Sequence, residues 1–532
     1  MEWWTHLWLN EGFATFMGYL CTDYIYPDWK IWERFIASGI LGAMELDSLD
    51  SSHPVEVPVG HPSETDEIFD AISYNKGCAI IRMVHSWISD QHFRSGMKNY
   101  LEKYSYSNAQ TESLWQELGA VSGLPVESVM AGWTKQIGFP LIQVRIQSWS
   151  GNSCKLSLRQ SKFSAKSTSE GDQSFSWSVP ISISTSAETT QSFLLESGEM
   201  EVTLDLPESG WVKINPQFIN WQLVNYDKQL LDKLTQNMQQ LSTLDRLTLV
   251  FEVYTLAKTG IISICDFLQL LNGFKQETNL SVWTSIADSL RDIGRITEEL
   301  SLADSYHKYQ VFVEKLMQQA AGTVGISKQL NEDPNRTLLR SLFYSMMSKA
   351  GSESYLNHSV EQVHLYLENS NQSLDKDLKS IMISNYLTKQ SSAPGQALDK
   401  IFKMHAEAEM TEEKNAIERS FGGISITEID KVIEYILSPA VRNQDKSDAF
   451  LSLAAAGKLK REAVLNLTFS KIEKFKKLFD GVQIGRYLKI LLNLFSTRSE
   501  YNKIRDFFEL NAIPNADRSI RQGTGIQLFS NQ

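Results

Sequence analysis

The sequence predicts a multidomain, mainly α protein that also contains one small β-sandwich. A chain of 532 residues is too long to share a single hydrophobic core, so several domains are expected. Apolar residues recur at helical spacing before residue 142 and after residue 226, whereas residues 142–226 alternate with a period near two. These observations predict helical regions at 1–141 and 227–532 on either side of a β domain at 142–226.

Composition and charge argue against a protein that binds nucleic acid or a membrane. The formal net charge of −12 gives no reason to expect binding to nucleic acid or to an anionic membrane surface. No apolar run approaches the roughly 18 residues that cross a bilayer, and no basic segment of a signal peptide follows Met1. The four cysteines show no CxxC spacing, which disfavours a disulfide framework and a cysteine zinc site. A reducing, cytoplasmic location is therefore expected.

The segment 3–16 is aromatic and, after Leu7, carries one carboxylate, that of Glu11. The spacing of apolar residues predicts a helix from Asn10 to about residue 24. Its predicted apolar face consists of Phe13, Phe16, Met17, Leu20 and Tyr24. Asn10 would cap this helix and Glu11 would lie in the first turn, where the helix dipole favours an anion. A metal partner for the Glu11 carboxylate is the functional alternative, because a charge in an apolar wall needs a partner.

The aromatic start is unusual, because chain termini are usually polar. If left uncovered, its apolar side chains would form an exposed patch; they are Trp3, Trp4, Leu7, Trp8 and Leu9. This pattern predicts that the first residue falls inside a domain.

A loop with several Xaa-Pro pairs is predicted at residues 51–66, after a second helix at 30–44. A residue before proline is pushed away from the helical region, so the loop is expected to be largely extended. His53 and His61 lie here, but two histidines in a loop are a weak signal for a metal site. No His-Glu pair occurs anywhere in the sequence, so none of its residues can form a His-Glu-x-x-His motif.

A third helix is predicted at residues 67–87, with Tyr74 in the middle of the sequence SYNKG. On the residues alone, Tyr74 fits a core tyrosine whose hydroxyl finds a local partner. Beyond the β domain, helical patterns follow one another with short breaks, and the last long one is predicted at residues 469–495. So many helices without strands predict a curved, solenoid-like stack of helix pairs. An unrelated solenoid for protein binding would show the same periodicity.

Three segments resemble the gluzincin zinc aminopeptidases, and most closely their puromycin-sensitive branch. They are WWTHLWLNEGFATF at 3–16, HPSETDEIFDAISYNKG at 61–77 and WTKQIGFPLI at 133–142. The zinc site of that family is His-Glu-x-x-His followed, after eighteen residues, by a glutamate. Glu11 matches this last glutamate, and Tyr74 matches the phenol that donates to the tetrahedral oxyanion. The two histidines, the general-base glutamate and the family's upstream Gly-x-Met-Glu-Asn motif have no counterpart in the sequence.

The resemblance implies the C-terminal part of a thermolysin-like catalytic domain at 1–141, a β-sandwich at 142–226 and a helical-repeat domain at 227–532. It also implies an enzyme that removes N-terminal residues from peptides, with one zinc ion, Glu11 as its third ligand and Tyr74 as the oxyanion stabiliser. Without the other ligands and the general base, these residues alone are expected to be inactive and to hold no zinc. A separate N-terminal portion would then be a partner. The alternative is a non-catalytic helical-repeat protein that binds peptides or proteins.

Overall fold

The structure, a computed structural model, describes residues 1–50, 52–61, 68–165, 176–196, 198–300, 303–368, 372–390, 395–479, 482–513 and 516–525. The chain divides into two compact units, Met1–Phe274 and Lys275–Gln532. Both units are mainly helical, and the described strands form two small sheets in the first unit. Within these ranges no helix has the length and apolar character that crossing a bilayer requires.

The first unit begins with a helical layer, interrupted by two π-helical segments, Ile36–Ile40 and Ile72–Lys76. Its helices are α1 (Trp8–Ile25), α2 (Ile31–Phe35), α3 (Leu41–Asp47), α4 (Gly77–Ile88), α5 (Asp90–Lys103), α6 (Thr111–Ser122) and α7 (Val126–Lys135). The second predicted helix is thus a continuous helical stretch with a π turn at its centre. The third begins with the other π turn. Residues 51 and 62–67, in the predicted loop and the start of the third predicted helix, lie outside the described residues.

Helix α1 differs from its prediction in where it starts and in which face it buries. It begins at Trp8, so Asn10 lies inside the helix and is not its N-cap, and Leu7 occupies the cap without a side-chain hydrogen bond. The buried face follows steps of four, Trp8, Gly12 and Phe16, whereas the predicted core residues Met17 and Tyr24 are exposed.

The expected patch at the aromatic start is largely covered in the structure. The side chains of Leu7 and Trp8 are buried, and the Trp8 ring stacks on Trp115 of α6 at a centroid distance of 5.7 Å. The indole of Trp3 stays 46% exposed, although its Nε1 donates to the Val59 carbonyl. The residues before Glu11 are therefore anchored to the core that carries the site.

Two sheets follow the helical layer. Their strands are β1 (Pro140–Ser150), β2 (Ser153–Lys162), β3 (Val179–Thr185), β4 (Thr190–Leu195), β5 (Glu199–Asp205), β6 (Val212–Ile214) and β7 (Leu223–Tyr226). One sheet has the order β5-β2-β1-β7, with β1 and β7 parallel, and the other has the order β4-β3-β6. Burial alternates along the strands, as at Ile181 and Ile183 of β3, which explains why a period of two was visible in the sequence.

Three more helices complete the first unit: α8 (Lys228–Gln236), α9 (Thr243–Lys258) and α10 (Ile264–Leu271). Helices α8 and α9 start at side-chain caps, where Asp227 accepts from the Leu230 amide and Ser242 accepts from the Asp245 amide. Glu252 of α9 is fully buried and accepts a hydrogen bond from the Val224 amide of β7. This contact fixes α9 against the first sheet.

The second unit is a large helical domain in which many helices contact the next helix, or the next but one, along the chain. Its helices are α11 (Leu280–Glu299), α12 (Ala303–Val324), α13 (Pro334–Lys349), α14 (Glu353–Glu368), α15 (Lys379–Lys389), α16 (Gln396–Glu407), α17 (Thr411–Ser420), α18 (Ile429–Leu437), α19 (Lys446–Ala454), α20 (Lys458–Ser470), α21 (Ile472–Leu478), α22 (Val482–Leu492), α23 (Arg498–Leu510) and α24 (Asp517–Gly525). The single long helix predicted at 469–495 is wrong. Lys471, with φ −122° and ψ 30°, separates α20 from α21, and α22 is a further helix.

Candidate active site

Glu11 lies in the first turn of α1, on the edge of its buried face. The carboxylate is partly exposed, while the neighbouring Gly12 and Trp8 are buried. This position lies at the N-terminal end of the helix, where the helix dipole favours an anion. A purely structural role for Glu11, as an anion in the first turn of the helix, is therefore compatible with the structure. This role does not exclude a further partner for the carboxylate.

Tyr74 lies at the centre of the π-helical segment Ile72–Lys76, directly before α4. Such one-turn π segments are rare and are frequently found at functional sites. The side chain of Tyr74 is partly exposed, unlike those of its neighbours Ile72, Ser73 and Lys76, which are buried. The sequence pattern predicts an ordinary α-helix here, because the spacing of apolar residues does not distinguish a wider π turn from an α turn.

The structure brings Glu11 and Tyr74 together. The Glu11 carboxylate lies close enough to the Tyr74 hydroxyl to raise the pKa of Tyr74 above its usual value, and burial raises that pKa further. The phenol therefore keeps its proton at neutral pH and can act as a hydrogen-bond donor. The two residues that the resemblance assigns to an active site therefore lie close together.

A buried ion pair holds the C-terminal end of the π segment. The Lys76 ammonium lies 2.8 Å from the Asp47 carboxylate, and both side chains are fully buried. Lys76 also donates to the Gly138 carbonyl, while Asp47 accepts from the Gly138 amide and from Nε1 of Trp221. The pair thus joins the segment that carries Tyr74 to the start of β1 and to the loop before β7. Sequence reasoning missed both residues, although a lysine in front of the apolar run of α4 signals a buried partner.

The two loop histidines do not meet Glu11 in a metal-binding cluster. Nε2 of His53 lies 3.0 Å from the Asp70 carboxylate, and His61 is exposed. Throughout the described ranges no three His, Cys, Asp or Glu side chains form a group that could hold a metal ion. A catalytic zinc site normally has three protein ligands. The described residues therefore do not make a complete zinc site by themselves, and Glu11 offers a single carboxylate toward one.

Comparison with known proteins connects this site to a peptidase family. Residues 1–133, which include Glu11 and Tyr74, match the model of the peptidase family M1 domain. Residues 211–525 match the model of the ERAP1-like C-terminal domain. Together the two matches cover both ends of the chain.

Curated relatives align over almost the whole chain. Aminopeptidase M1-A of Oryza sativa subsp. japonica is 30% identical over 98% of this chain and 59% of its own length. Aminopeptidase M1 of Arabidopsis thaliana is 31% identical over 98% of this chain and 60% of its own length. The puromycin-sensitive aminopeptidase of Caenorhabditis elegans is 33% identical over 69% of this chain and 39% of its own length. The chain thus spans about 60% of the length of the plant relatives.

Proposed function

The chain belongs to the M1 gluzincin aminopeptidase family, and on this premise we propose that it forms part of a zinc aminopeptidase that hydrolyses N-terminal residues from peptides. The observation that carries the proposal is the proximity of the Glu11 carboxylate to the Tyr74 hydroxyl, which raises the pKa of Tyr74. It supports a shared site for the two residues that the resemblance matches to the family's active-site positions.

In this proposal Tyr74 stabilises the oxyanion that forms when the scissile carbonyl is attacked. Its raised pKa keeps the hydroxyl protonated, so that it can donate to the developing negative charge. The π segment that carries Tyr74 is fixed by the buried pair of Lys76 and Asp47, so the hydroxyl is held in place before the substrate binds. Preorganised donors of this kind typically contribute about 10²–10³-fold to kcat.

Glu11 is proposed as one ligand of the zinc ion of the complete enzyme. When bound, such an ion polarises the scissile carbonyl and lowers the pKa of a water molecule. The remaining ligands and the general base would come from a polypeptide outside these 532 residues, since the plant relatives are considerably longer. A separate N-terminal portion and the peptide substrate are the proposed partners, and the cytoplasm is the proposed location.

The family also supports a finer description of the fold. We propose that residues 1–141 form the C-terminal part of a thermolysin-like domain, that 142–226 form a β-sandwich and that 227–532 form a solenoid-like helical repeat. The two sheets within Pro140–Tyr226 and the run of helices from α11 to α24 support this division, although α8 to α10 pack with the first unit.

A peptide- or protein-binding role without catalysis is the second candidate. Within the second unit a cavity of about 300 Å³ lies among α11, α12, α13 and α20, with Tyr306, Tyr309 and Lys349 in its wall. Such a cavity can bind a ligand without any contribution from Tyr74. It is therefore the observation that favours a binding role without catalysis.

The transcript upstream of the Met1 codon distinguishes the two candidates. An in-frame His-Glu-x-x-His segment at the family spacing from Glu11 supports the aminopeptidase, and the longer protein can then be expressed and assayed on an aminoacyl reporter. Hydrolysis that depends on Tyr74 confirms the proposal. If the upstream sequence is unrelated and no separate N-terminal portion restores hydrolysis to this chain, the proposal is contradicted and the binding role is left.

A further inference from the structure

Asp70 fixes the N-terminal end of the π segment that carries Tyr74. Its Oδ1 accepts hydrogen bonds from the amides of Ile72 and Ser73 at 2.9 and 3.4 Å, and its main-chain carbonyl accepts from the Tyr74 amide at 3.1 Å. These are the first amides of the segment, which have no partner within it. Asp70 therefore acts as an N-cap whose position determines where the turn of Tyr74 begins.

His53 fixes Asp70 in turn. Its Nε2 lies 3.0 Å from Oδ2 of Asp70, and its Nδ1 lies 2.8 Å from the Pro54 carbonyl. A carbonyl only accepts hydrogen bonds, so Nδ1 must carry a proton, and the bond between Nε2 and the Asp70 carboxyl requires one further shared proton. The two carboxyl oxygens of Asp70 thus have separate partners: one caps the π segment and the other is held by the loop.

The two ends of the π segment differ in burial. The pair of Lys76 and Asp47 is fully buried, and its loss is expected to disturb the whole fold. The side chains of His53 and Asp70 are each 16% exposed, so a substitution there can relax into solvent. This end can therefore be altered while the rest of the unit stays folded.

We propose that His53 and Asp70 are a positioning pair, which sets the register of the π segment and thereby directs the Tyr74 hydroxyl toward Glu11. Neither residue touches the reacting atoms in this account. Their effect on rate rests on the proposed function of Tyr74, whereas their effect on the geometry of the segment does not. A displacement of a catalytic group by about 1 Å can cost up to 10²-fold in rate, so the loss of the pair should lower kcat.

The first test uses the 532-residue chain and needs no activity. Hydrogen exchange of peptides that cover residues 72–77 is compared for two matched pairs of variants, Asp70→Ala with Asp70→Asn and His53→Leu with His53→Gln. Asparagine keeps an oxygen that accepts from the amides, and glutamine keeps an N–H that can reach Asp70. We expect exchange to be about fivefold faster in the Ala and Leu variants, because a capping contact is lost, and near wild type in the Asn and Gln variants.

His85→Leu is the control for this test. It removes another histidine that is paired with an aspartate, since His85 Nε2 lies 2.9 Å from Asp90, but that pair joins α4 to α5 and does not touch the π segment. Exchange at residues 72–77 should be unchanged in this variant, and exchange in α6 should be unchanged in all of them. Equal exchange in the Leu and Gln variants, or in the Ala and Asn variants, would overturn the proposal.

The second test uses the complete enzyme and separates positioning from general destabilisation. His53→Leu should lower kcat about tenfold or more with KM nearly unchanged. In a Tyr74→Phe background the same substitution should cause no further loss, because the hydroxyl that it positions is already gone. An equal loss in both backgrounds contradicts the proposal. A Tyr74→Phe enzyme with full rate contradicts the proposed function instead, and the exchange experiment still decides whether the pair positions the segment.

Discussion

The backbones of Gly12 and Gly77 touch where α1 crosses the start of α4. A Cβ atom added at Gly12 would lie 3.0 Å from the Gly77 carbonyl carbon, which is closer than ordinary van der Waals contact. Gly12 directly follows Glu11, and Gly77 comes three residues after Tyr74. The absence of side chains at these two positions therefore allows the carboxylate and the phenol to meet.

The first prediction tests this crossing with Gly12→Ala. The added methyl group meets main-chain atoms, so the two helices must move apart, and we expect the free energy of unfolding to fall by about 1–3 kcal/mol. In the complete enzyme kcat should fall as well, because Glu11 and Tyr74 separate. Unfolding of the first unit can be followed by tryptophan fluorescence, since all 13 tryptophans except Trp283 precede residue 275.

Gly18→Ala is the matched control on the same helix. A Cβ atom at Gly18 has nothing within 4 Å, so this substitution should be neutral or should stabilise the helix by about 0.5–1 kcal/mol. If Gly12→Ala unfolds at the same urea concentration as Gly18→Ala, the close approach of the Gly12 and Gly77 backbones does not restrict the side chain at position 12.

The second prediction concerns the buried pair of Lys76 and Asp47. Lys76→Met should lower the free energy of unfolding by about 3–5 kcal/mol, because it leaves the Asp47 charge buried without a cation. Lys103→Met is the control: Lys103 contacts Glu117 at 2.6 Å, but its side chain is 56% exposed, and pairs of this kind contribute about 1 kcal/mol or less. Urea unfolding of the two variants should therefore differ clearly. Similar midpoints would show that the amide of Gly138 and the indole of Trp221 suffice to hold Asp47.

Sequence reasoning named the candidate site residues but not the contacts that hold them in place. Glu11 and Tyr74 could be identified because they lie within long segments that match a family, and the alternation of β3 predicted its strand. The π turn at Tyr74 was invisible, because apolar spacing cannot distinguish a π turn from an α turn. The side chain of Asn10 predicts a cap at that position, but the helix begins two residues earlier, at the buried Trp8. The division into three domains and the roles of Glu11 and Tyr74 stay predictions.

The third prediction is a pH dependence that originates at Glu252. Burial raises the pKa of this carboxyl to about 7, and the ammonium of Lys213 at 3.4 Å offsets only part of that shift. A carboxyl whose pKa is raised by folding contributes stability that is fully present below its unfolded pKa, near 4.5, and is lost as the pH rises through about 7. The first unit should therefore lose stability from this group between pH 5 and pH 8.

Glu252→Gln removes this titration and preserves the shape of the side chain. The difference in unfolding free energy between wild type and variant should change by on the order of 1 kcal/mol or more between pH 5 and pH 8, in favour of the wild type at the lower pH. Glu201→Gln is the control, because Glu201 is an exposed residue of β5 whose pKa is lowered by its hydrogen bond with Lys155. A pH-independent difference for Glu252→Gln would contradict the prediction.

The last prediction separates the two site residues in the complete enzyme. Glu11→Ala removes a proposed metal ligand, so zinc content and activity should fall together. Tyr74→Phe removes only a hydroxyl and leaves the ring in place, so the fold and the zinc content should persist while kcat falls about 10²–10³-fold with KM nearly unchanged. The measurement is kcat on an aminoacyl reporter, with zinc assayed on the same samples.

Tyr100→Phe is the control, because it removes a phenol hydroxyl that has no proposed role as an oxyanion donor. Tyr100 lies on α5, and its ring centroid is 5.4 Å from that of Tyr104. Its kcat should equal that of the wild type. The two variants at the site also report on each other. Because the Glu11 carboxylate interacts with the Tyr74 hydroxyl before a substrate is present, Glu11→Ala changes the surroundings of that hydroxyl as well as removing the carboxylate. The double variant should therefore lose less than the product of the single losses. A Tyr74→Phe enzyme that keeps its full rate would remove the catalytic role of Tyr74 and leave Glu11 as the proposed active-site residue of this chain.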